Sequence, residues 1–270
     1  MEAIADVMNQ DSRQSSLSST FQKRDRWLYA CEHCGQQVEP TTYEGPGGTW
    51  YARGECGCPG AIEARDRVTQ ERDRHAQEER EREFRVRQER YGLTRALAAQ
   101  TFETFDRSIQ PEAYDVALSF FDCPRTLLFA GRTNGLGKTH LMAAIANRCV
   151  WEGKPVRFGT LIEFLAQIRA TYNEGAEITT DRYLEQLTRS YLLCIDDLGK
   201  EKLSPWASEQ LFFIINARYN LRPEGYMILT SNAEGPGLAA TMGVHNWSRL
   251  QEIGTVVYMK GTDYRLRGKK

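Results

Sequence analysis

A chain of 270 residues with 41% hydrophobic content is long enough to bury one main core and to carry a small appendage. Its 35 basic and 36 acidic residues give a net charge of −1, which excludes a globally basic nucleic-acid-binding protein, so DNA affinity requires a local patch. No apolar run approaches the roughly 18 residues of a membrane span, and residues 1–20 lack the pattern of a signal peptide. We therefore expect a cytoplasmic protein without a membrane segment.

The amino-terminal part divides into a tail and a cysteine-containing segment. Residues 1–20 are polar and serine-rich, which predicts a disordered or docking tail. Residues 21–60 hold two close cysteine pairs, in the sequences Cys31-Glu-His-Cys34 and Cys56-Gly-Cys58. Because Zn²⁺ takes four thiolates in a closed tetrahedral site, this spacing predicts a small zinc-ribbon domain. His33 or His75 in place of one cysteine, and simple free thiols, are the alternatives.

Residues 61–95 are dominated by glutamate and arginine. Opposite charges recur four residues apart, as in Glu63/Arg67 and Glu78/Arg82, and this pattern is typical of an exposed helix. The apolar residues keep no heptad, which argues against a coiled coil. We expect a charged linker helix over residues 61–95, followed by a second domain over residues 96–270.

The stretch from Thr126 to Cys149 reads as an apolar strand, a glycine-rich loop and an apolar helix, which is the pattern of a P-loop. Lys138 is expected to reach the β and γ phosphates of ATP, and the Thr139 hydroxyl to hold Mg²⁺. The other expected nucleotide-binding residues are Gly131, Asn134, Gly135, Leu136, Gly137 and His140. One departure from the usual spacing is that Arg132 stands where the first glycine belongs, so the loop carries one extra residue.

Further apolar runs downstream predict a parallel sheet. Four runs read as strands, at residues 155–160, 191–196, 226–231 and 255–259, and a helical pattern follows the first of them. Together with the P-loop strand they predict an α/β fold with a five-stranded parallel sheet covered on both faces. In such a sheet the ligands lie at the carboxyl ends of the strands.

Those carboxyl ends carry the candidate catalytic residues. Asp196 directly follows a buried strand, as a Walker B aspartate does, and is expected to hold Mg²⁺ with Thr139. Asp197 is placed to orient or deprotonate the attacking water, and Asn232 ends a neighbouring strand where its amide can contact the γ phosphate. The alternative is that the two aspartates merely cap a strand.

A local DNA-binding patch is expected beside the residues that follow Asp197. Its basic members neutralise phosphates and its aromatic members stack on bases. The candidates are Arg169, Tyr172, Lys200, Lys202 and Trp206. A core position for Trp206 is the alternative, because a helix-starting Ser-Pro precedes it.

Several motifs occur in one order from about Thr101 to the end: GLGKTHLMAAIANR, LLCIDDLGKEKLSPW, INARY, ILTSN, SRL and DYR. With them the chain resembles the AAA+ helicase loaders of the DnaC/DnaI type, which are related to the IstB transposition ATPases. The resemblance implies that Asn232 acts as sensor 1, Arg249 in SRL as an arginine finger on a neighbouring subunit, and Arg265 in DYR as sensor 2. Arg218 in INARY is a second arginine candidate with a structural alternative.

The resemblance also implies a P-loop AAA+ core that hydrolyses ATP and forms a homo-oligomer with ATP bound. About a dozen residues follow the last predicted strand, so we expect little or no helical lid. The expected partners are a replicative DNA helicase and single-stranded DNA, with ATP, Mg²⁺ and Zn²⁺ as cofactors. An IstB-type ATPase that binds duplex DNA and a transposase is the runner-up, and a nucleotide-switched adaptor with negligible hydrolysis is a third possibility.

Overall fold

The structure is a computed structural model that describes residues 28–46, 48–199, 203–221 and 224–264. The predicted tail, Lys200, Lys202 and Arg265 lie outside these residues. The chain divides into two compact units between Glu79 and Arg80, and each unit is described by itself. In the described residues, no helix combines the length and the apolar character needed to cross a membrane.

The first unit is built from short antiparallel strands around the cysteines. Strand β1 (Tyr29–Ala30) pairs with β2 (Gln37–Val38), and β3 (Thr41–Gly45) pairs with β4 (Gly48–Ala52). Its small core consists of Cys31, Val38, Cys56 and Ala61. So little apolar surface gives little hydrophobic stabilisation, and a unit of this size needs another source of stability.

Helix α1 runs over Pro59–Arg90, close to the predicted linker helix. Exposed pairs four residues apart support it, as between Glu83 and Arg87 at 3.1 Å, although such pairs contribute only about 0.3–0.5 kcal/mol each. The end of the predicted linker is not a free connector, because Phe84, Tyr91 and Leu93 pack into the core of the second unit. The glutamate and arginine pattern of the helix did not indicate that these three apolar side chains pack against the core.

A five-stranded parallel sheet forms the centre of the second unit, as predicted. Its strands are β5 (Thr126–Ala130), β6 (Val156–Thr160), β7 (Leu192–Leu198), β8 (Tyr226–Ser231) and β9 (Gly254–Tyr258). They lie in the order β6-β7-β8-β5-β9, and every neighbouring pair is parallel. The P-loop strand β5 therefore lies between β8 and β9, next to the strand that precedes Asn232.

Helices cover both faces of this sheet. Their bounds are α2 Arg95–Ala98, α3 Pro111–Leu118, α4 Lys138–Trp151, α5 Leu161–Ala170, α6 Thr180–Arg189, α7 Pro205–Asn220, α8 Pro236–Met242 and α9 Val244–Ile253. Alternate residues of β5 point to opposite faces, so Leu127 and Phe129 join the core under α4 while Leu128 and Ala130 join the core under α5 and α7. Burial on both faces explains the continuous apolar runs of the strands.

Candidate functional site

The P-loop connects β5 to α4, and its glycines are sterically required. Gly135 and Gly137 have φ of 68° and 88°, in the left-handed region that favours glycine. A Cβ on Gly137 would lie 2.6 Å from the ring of Phe105, and one on Gly131 would lie 2.4 Å from the carbonyl oxygen of Met259. The loop thus turns tightly between packed neighbours and ends at the amino terminus of α4, where free backbone N–H groups favour an anion.

The Lys138 side chain is buried and folds back across the loop. Its ammonium donates to the carbonyl oxygens of Gly131 at 2.8 Å and of Thr133 at 2.9 Å. The extra residue of the loop lies in this part, where Arg132 donates its backbone N–H to Glu234 at 3.4 Å and forms an ion pair with it at 3.6 Å. Glu234 therefore contacts the lengthened half of the loop through both the main chain and the side chain of Arg132. The sequence alone did not indicate this contact.

Thr139 and Asp196 meet at the carboxyl ends of β5 and β7. The Thr139 hydroxyl donates to the Asp196 carboxylate, with Oγ1 lying 3.0 Å from Oδ1 and 3.2 Å from Oδ2. The Thr230 hydroxyl donates to Asp196 Oδ1 at 2.5 Å. A hydroxyl and a carboxylate at this separation form a donor set that suits Mg²⁺, which binds one or two protein oxygens together with phosphate oxygens.

Asp197 is held in an unusual conformation beside the same cavity. Its φ is 60°, at a register shift between β7 and β8 that lies between Ile195 and Leu198. The Thr230 hydroxyl accepts a hydrogen bond from the Asp197 N–H at 2.8 Å, and Asn232 donates from Nδ2 to Asp197 Oδ1 at 2.8 Å. These two contacts direct the Asp197 carboxylate into the cavity at a backbone geometry that non-glycine residues adopt with strain.

These residues enclose a cavity of about 430 Å³. It is lined by Gln100, Asn134, Gly135, Leu136, Gly137, Lys138, Thr139, His140, Asp197, Thr230, Asn232 and Tyr264. The predicted P-loop residues 134–140 thus line one cavity with Asp197 and Asn232, whereas Gly131 and Asp196 are not part of its lining. Gln100, Thr230 and Tyr264 were missed, since an isolated glutamine, threonine or tyrosine far from the P-loop in sequence gives no local signal.

His140 follows Thr139 and contacts residues 101–105. Its Nε2 lies 2.9 Å from the carbonyl oxygen of Thr101, and its ring contacts Phe105 edge to face at 5.1 Å. Burial lowers the pKa of His140, so the ring is neutral at physiological pH and its Nε2–H donates to that carbonyl. Residues 101–105 are therefore attached directly to the first turn of α4.

Arg249 lies away from its own nucleotide cavity. The half-buried guanidinium lies over the ring of Phe212 at 4.6 Å and near the ring of Tyr219 at 5.9 Å. Its Nη1 is buried and has no hydrogen-bond partner within the described ranges. Arg249 is absent from the lining of the cavity, so in this chain it has no contact with the nucleotide site.

Arg218, the second arginine candidate, has a structural role in the core of the fold. Its side chain is fully buried and donates to carbonyl oxygens at the end of α6 and the start of β7 and β8. The acceptors are Leu187 at 2.9 Å, Thr188 and Ser190 at 3.0 Å, Tyr191 at 3.4 Å and Tyr226. Burial lowers the pKa of Arg218 to about 10, and a guanidinium held in this way cannot reach a neighbouring subunit.

The described members of the predicted DNA patch lie close to one another. The Arg169 guanidinium covers the ring of Trp206 at 4.5 Å, and Tyr172 is exposed one turn further along the chain. Trp206 is partly buried against the core, as the structural alternative expected. The ring face that would stack on a base is therefore already covered by Arg169.

The four predicted zinc ligands converge in the first unit. The sulfur atoms of Cys31, Cys34, Cys56 and Cys58 all lie within 4.8 Å of one another, and two of their separations are 3.6 and 3.7 Å. A tetrahedral site with Zn–S distances of about 2.3 Å places its sulfur atoms about 3.8 Å apart, so the cluster fits zinc. The pKa of Cys31 is lowered to about 6 by the backbone N–H groups of His33 and Cys34, whereas desolvation and the neighbouring thiols raise the pKa of Cys34 to about 12. Neither His33 nor His75 belongs to this cluster within the described residues.

The fold and this site define a P-loop ATP-binding protein of the AAA+ class. The IstB-like ATP binding protein family matches residues 66–270, and the chain belongs to that family. An ATP-binding protein of insertion sequence IS5376 from Geobacillus stearothermophilus is 31% identical over 192 residues, which is 66% of this chain and 72% of the relative. The replicative helicase loader DnaC of Buchnera aphidicola is 30% identical over 118 residues, or 44% of this chain and 47% of the relative.

Solved structures agree on the fold. The crystal structure of a DnaC helicase loader superposes with a TM-score of 0.53 at 24% identity, and the match covers 62% of this chain and 100% of the chain in that structure. Domain III of the Thermotoga maritima replication initiation protein DnaA gives a TM-score of 0.52 at 26% identity, over 62% of this chain and 70% of that one. The predicted resemblance to helicase loaders and IstB proteins is thus confirmed, and the relatives include both kinds.

Proposed function

We propose that this protein is an ATP-dependent helicase loader that acts in the cytoplasm, binding a replicative DNA helicase and single-stranded DNA. The observation that carries the proposal is the cysteine cluster in front of a P-loop ATPase core. A closed four-thiolate site leaves no open metal position, so a zinc ion there has a structural role and the first unit serves as a docking module. The zinc also supplies the stability that its small apolar core lacks.

In the ATPase unit the roles follow from the geometry of the cavity. Lys138 exchanges its loop carbonyls for the β and γ phosphates, while Thr139 and Asp196 hold the oxygens of the Mg²⁺ shell. When bound there, Mg²⁺ would supply positive charge beside the transferred phosphoryl group. Asp197, fixed by Thr230 and Asn232, orients the attacking water and accepts its proton. Asn232 lines the same cavity and donates to this carboxylate.

Hydrolysis requires a second subunit in this proposal. Arg249 lies outside its own cavity, with a buried donor that lacks a partner in the described chain, so it acts on a phosphate bound by the neighbour. Arg249→Ala should reduce turnover while leaving the affinity for ATP near normal. Mixing Arg249→Ala with Lys138→Ala subunits should restore part of the activity, and no recovery at any ratio would contradict the trans role.

The docking surface is proposed on the β3–β4 hairpin. Tyr43 and Trp50 stack on each other with ring centroids 6.2 Å apart, and both side chains remain nearly half exposed. Exposed aromatic residues often provide the anchors of an interface. The double variant Tyr43→Ala/Trp50→Ala should lose binding to a purified replicative helicase in calorimetry while it keeps zinc and ATP. Undiminished binding would move the docking site elsewhere.

A transposition ATPase is the second candidate, because the 31% identical relative belongs to an insertion sequence. The two functions differ in the DNA that they require. Fluorescence anisotropy with ATP present, using a single-stranded oligonucleotide and the matched duplex, separates them. Preference for the single strand supports the loader, and preference for the duplex supports the transposition protein. The Arg169→Ala variant tests whether the patch beside Trp206 is used.

A further inference from the structure

Gln100 carries a buried hydrogen-bond acceptor in the nucleotide cavity that no residue of the described chain satisfies. Its side chain lines the cavity together with the P-loop. The amide oxygen Oε1 is buried and has no hydrogen-bond partner in residues 28–46, 48–199, 203–221 and 224–264. A buried polar atom without a partner is destabilising, so such an atom in a ligand cavity indicates a contact that the ligand completes.

The main chain around Gln100 is held rigidly by the helix that follows the P-loop. Asn147 of α4 donates from Nδ2 to the carbonyl oxygens of Gln100 and Leu97, both at 2.9 Å. The Gln100 N–H donates to the carbonyl oxygen of Leu97 at 3.0 Å. The carbonyl oxygen of the next residue, Thr101, accepts a hydrogen bond from His140 Nε2 at 2.9 Å. Because both sides of Gln100 are fixed to α4, its amide is presented at a defined place relative to the P-loop.

The chemistry of a nucleoside triphosphate limits which group can meet this oxygen. Phosphate oxygens are acceptors only and would repel Oε1, and the donors that serve them are Lys138 and the backbone N–H groups of the loop. The donors of the nucleotide are its ribose hydroxyls and the exocyclic amine of its base. A glutamine amide matches the adenine edge in particular, because its oxygen accepts from N6 while its NH₂ donates to a ring nitrogen.

We propose that Gln100 reads the adenine base of the bound nucleotide and makes the site selective for ATP. This inference rests on the proposed function, since it names the specificity of the same site. The selectivity lies in a residue outside the P-loop, in the short connection between α2 and residues 101–105. Gln100 is thus a specificity-determining residue, whereas Lys138 and Thr139 bind any triphosphate.

The test is calorimetry on the full-length protein with four triphosphates: ATP, purine riboside triphosphate, which lacks the exocyclic amine, GTP and 2′-deoxy-ATP. Wild-type protein should bind ATP about tenfold more tightly than the purine riboside form, as expected for one buried hydrogen-bonded pair. Gln100→Leu should reduce the ratio between these two affinities to about twofold or less, because only ATP loses the contact from its exocyclic amine, whereas both nucleotides lose the bond from the glutamine NH₂ to a ring nitrogen. Gln167→Leu, on the exposed side of α5, is the matched control and should change neither affinity.

Several results would overturn the assignment. Equal wild-type affinity for ATP and the purine riboside form, tighter binding of GTP than of ATP, or an equal loss for every nucleotide in Gln100→Leu would each do so. If the wild-type protein bound 2′-deoxy-ATP more weakly than ATP but bound the purine riboside form as tightly as ATP, the contact would belong to the ribose instead of the base. If Gln100→Leu unfolds, Gln100→Met preserves the length of the side chain and decides the matter. Absence of any triphosphate binding by the wild type would instead refute the proposed function itself.

Discussion

Replacing Arg218 by lysine tests whether this buried arginine is structural. The guanidinium donates to five carbonyl oxygens, those of Leu187, Thr188, Ser190, Tyr191 and Tyr226. A lysine ammonium keeps the charge but has about three donors, so at least two of those oxygens lose their partner. At about 1–3 kcal/mol for each, Arg218→Lys should lower the free energy of unfolding by about 2–6 kcal/mol. That is a large part of the total of about 5–15 kcal/mol for a typical domain.

The assay is urea unfolding of the full-length chain, followed by circular dichroism and by tryptophan fluorescence. Arg189→Lys is the matched control, because Arg189 lies close by at the exposed end of α6 and pairs only with Glu185 at 3.3 Å in the described structure. It should change the free energy by less than about 0.5 kcal/mol. The structural reasoning for Arg218 would be refuted if Arg218→Lys unfolded like the wild type but hydrolysed ATP much more slowly. That result would return Arg218 to the position of an arginine finger.

Three further changes probe the cavity and the cysteine cluster. Thr230→Val should leave ATP affinity within about threefold but reduce turnover by about tenfold or more, because the hydroxyl that positions Asp196 and Asp197 is lost. Thr230→Ser keeps the hydroxyl and should have nearly normal turnover. Unchanged steady-state turnover in Thr230→Val would contradict this role. Burial lowers the pKa of His140, so protonating the ring is more costly in the folded state than in the unfolded state. The free energy of unfolding measured by urea titration should therefore keep its full His140 contribution above pH 6.5 and decrease as the pH falls below that value. His140→Gln should flatten that slope, and an equal slope would assign it to other groups. Purified protein should contain one zinc per chain by metal analysis, and Cys56→Ser should lose it without loss of ATP binding; less than about half an equivalent in the wild type would count against the site.

The sequence predicted the sheet well because its strands are buried on both faces. Residues 226–231 were placed without error, and the P-loop strand, β6 and β9 were placed to within about one residue. Strand β7 continues past Asp196 to Leu198, which the apolar pattern could not indicate, because the register shift places two charged residues inside the strand. Helix α6 was also missed, since only Leu187 and Thr188 among its residues are buried.

The site was predicted only where its residues form a local motif. Lys138, Thr139 and Asp196 belong to patterns that specify their own chemistry. Thr230 instead looks like an ordinary β-branched residue of a strand, and Gln100 looks like a loop residue. Both act through contacts across the sheet or with α4, and such distances are invisible in one sequence. The lengthened P-loop was visible from Arg132, but its fastening to Glu234 was not, because 102 residues separate them.

The attachment of Asn147 determines where the chain can be cut. One carboxamide on α4 accepts from Gln88 at 2.8 Å and donates to the carbonyl oxygens of Leu97 and Gln100 at 2.9 Å. A fragment that begins at residue 96 would remove Gln88 and also the buried Leu93 from the core under α4. The exposed surface would then be apolar, and the fragment would be prone to aggregate. The smallest fragment that keeps the core of the ATP-binding unit intact therefore begins near Arg80, within the charged helix.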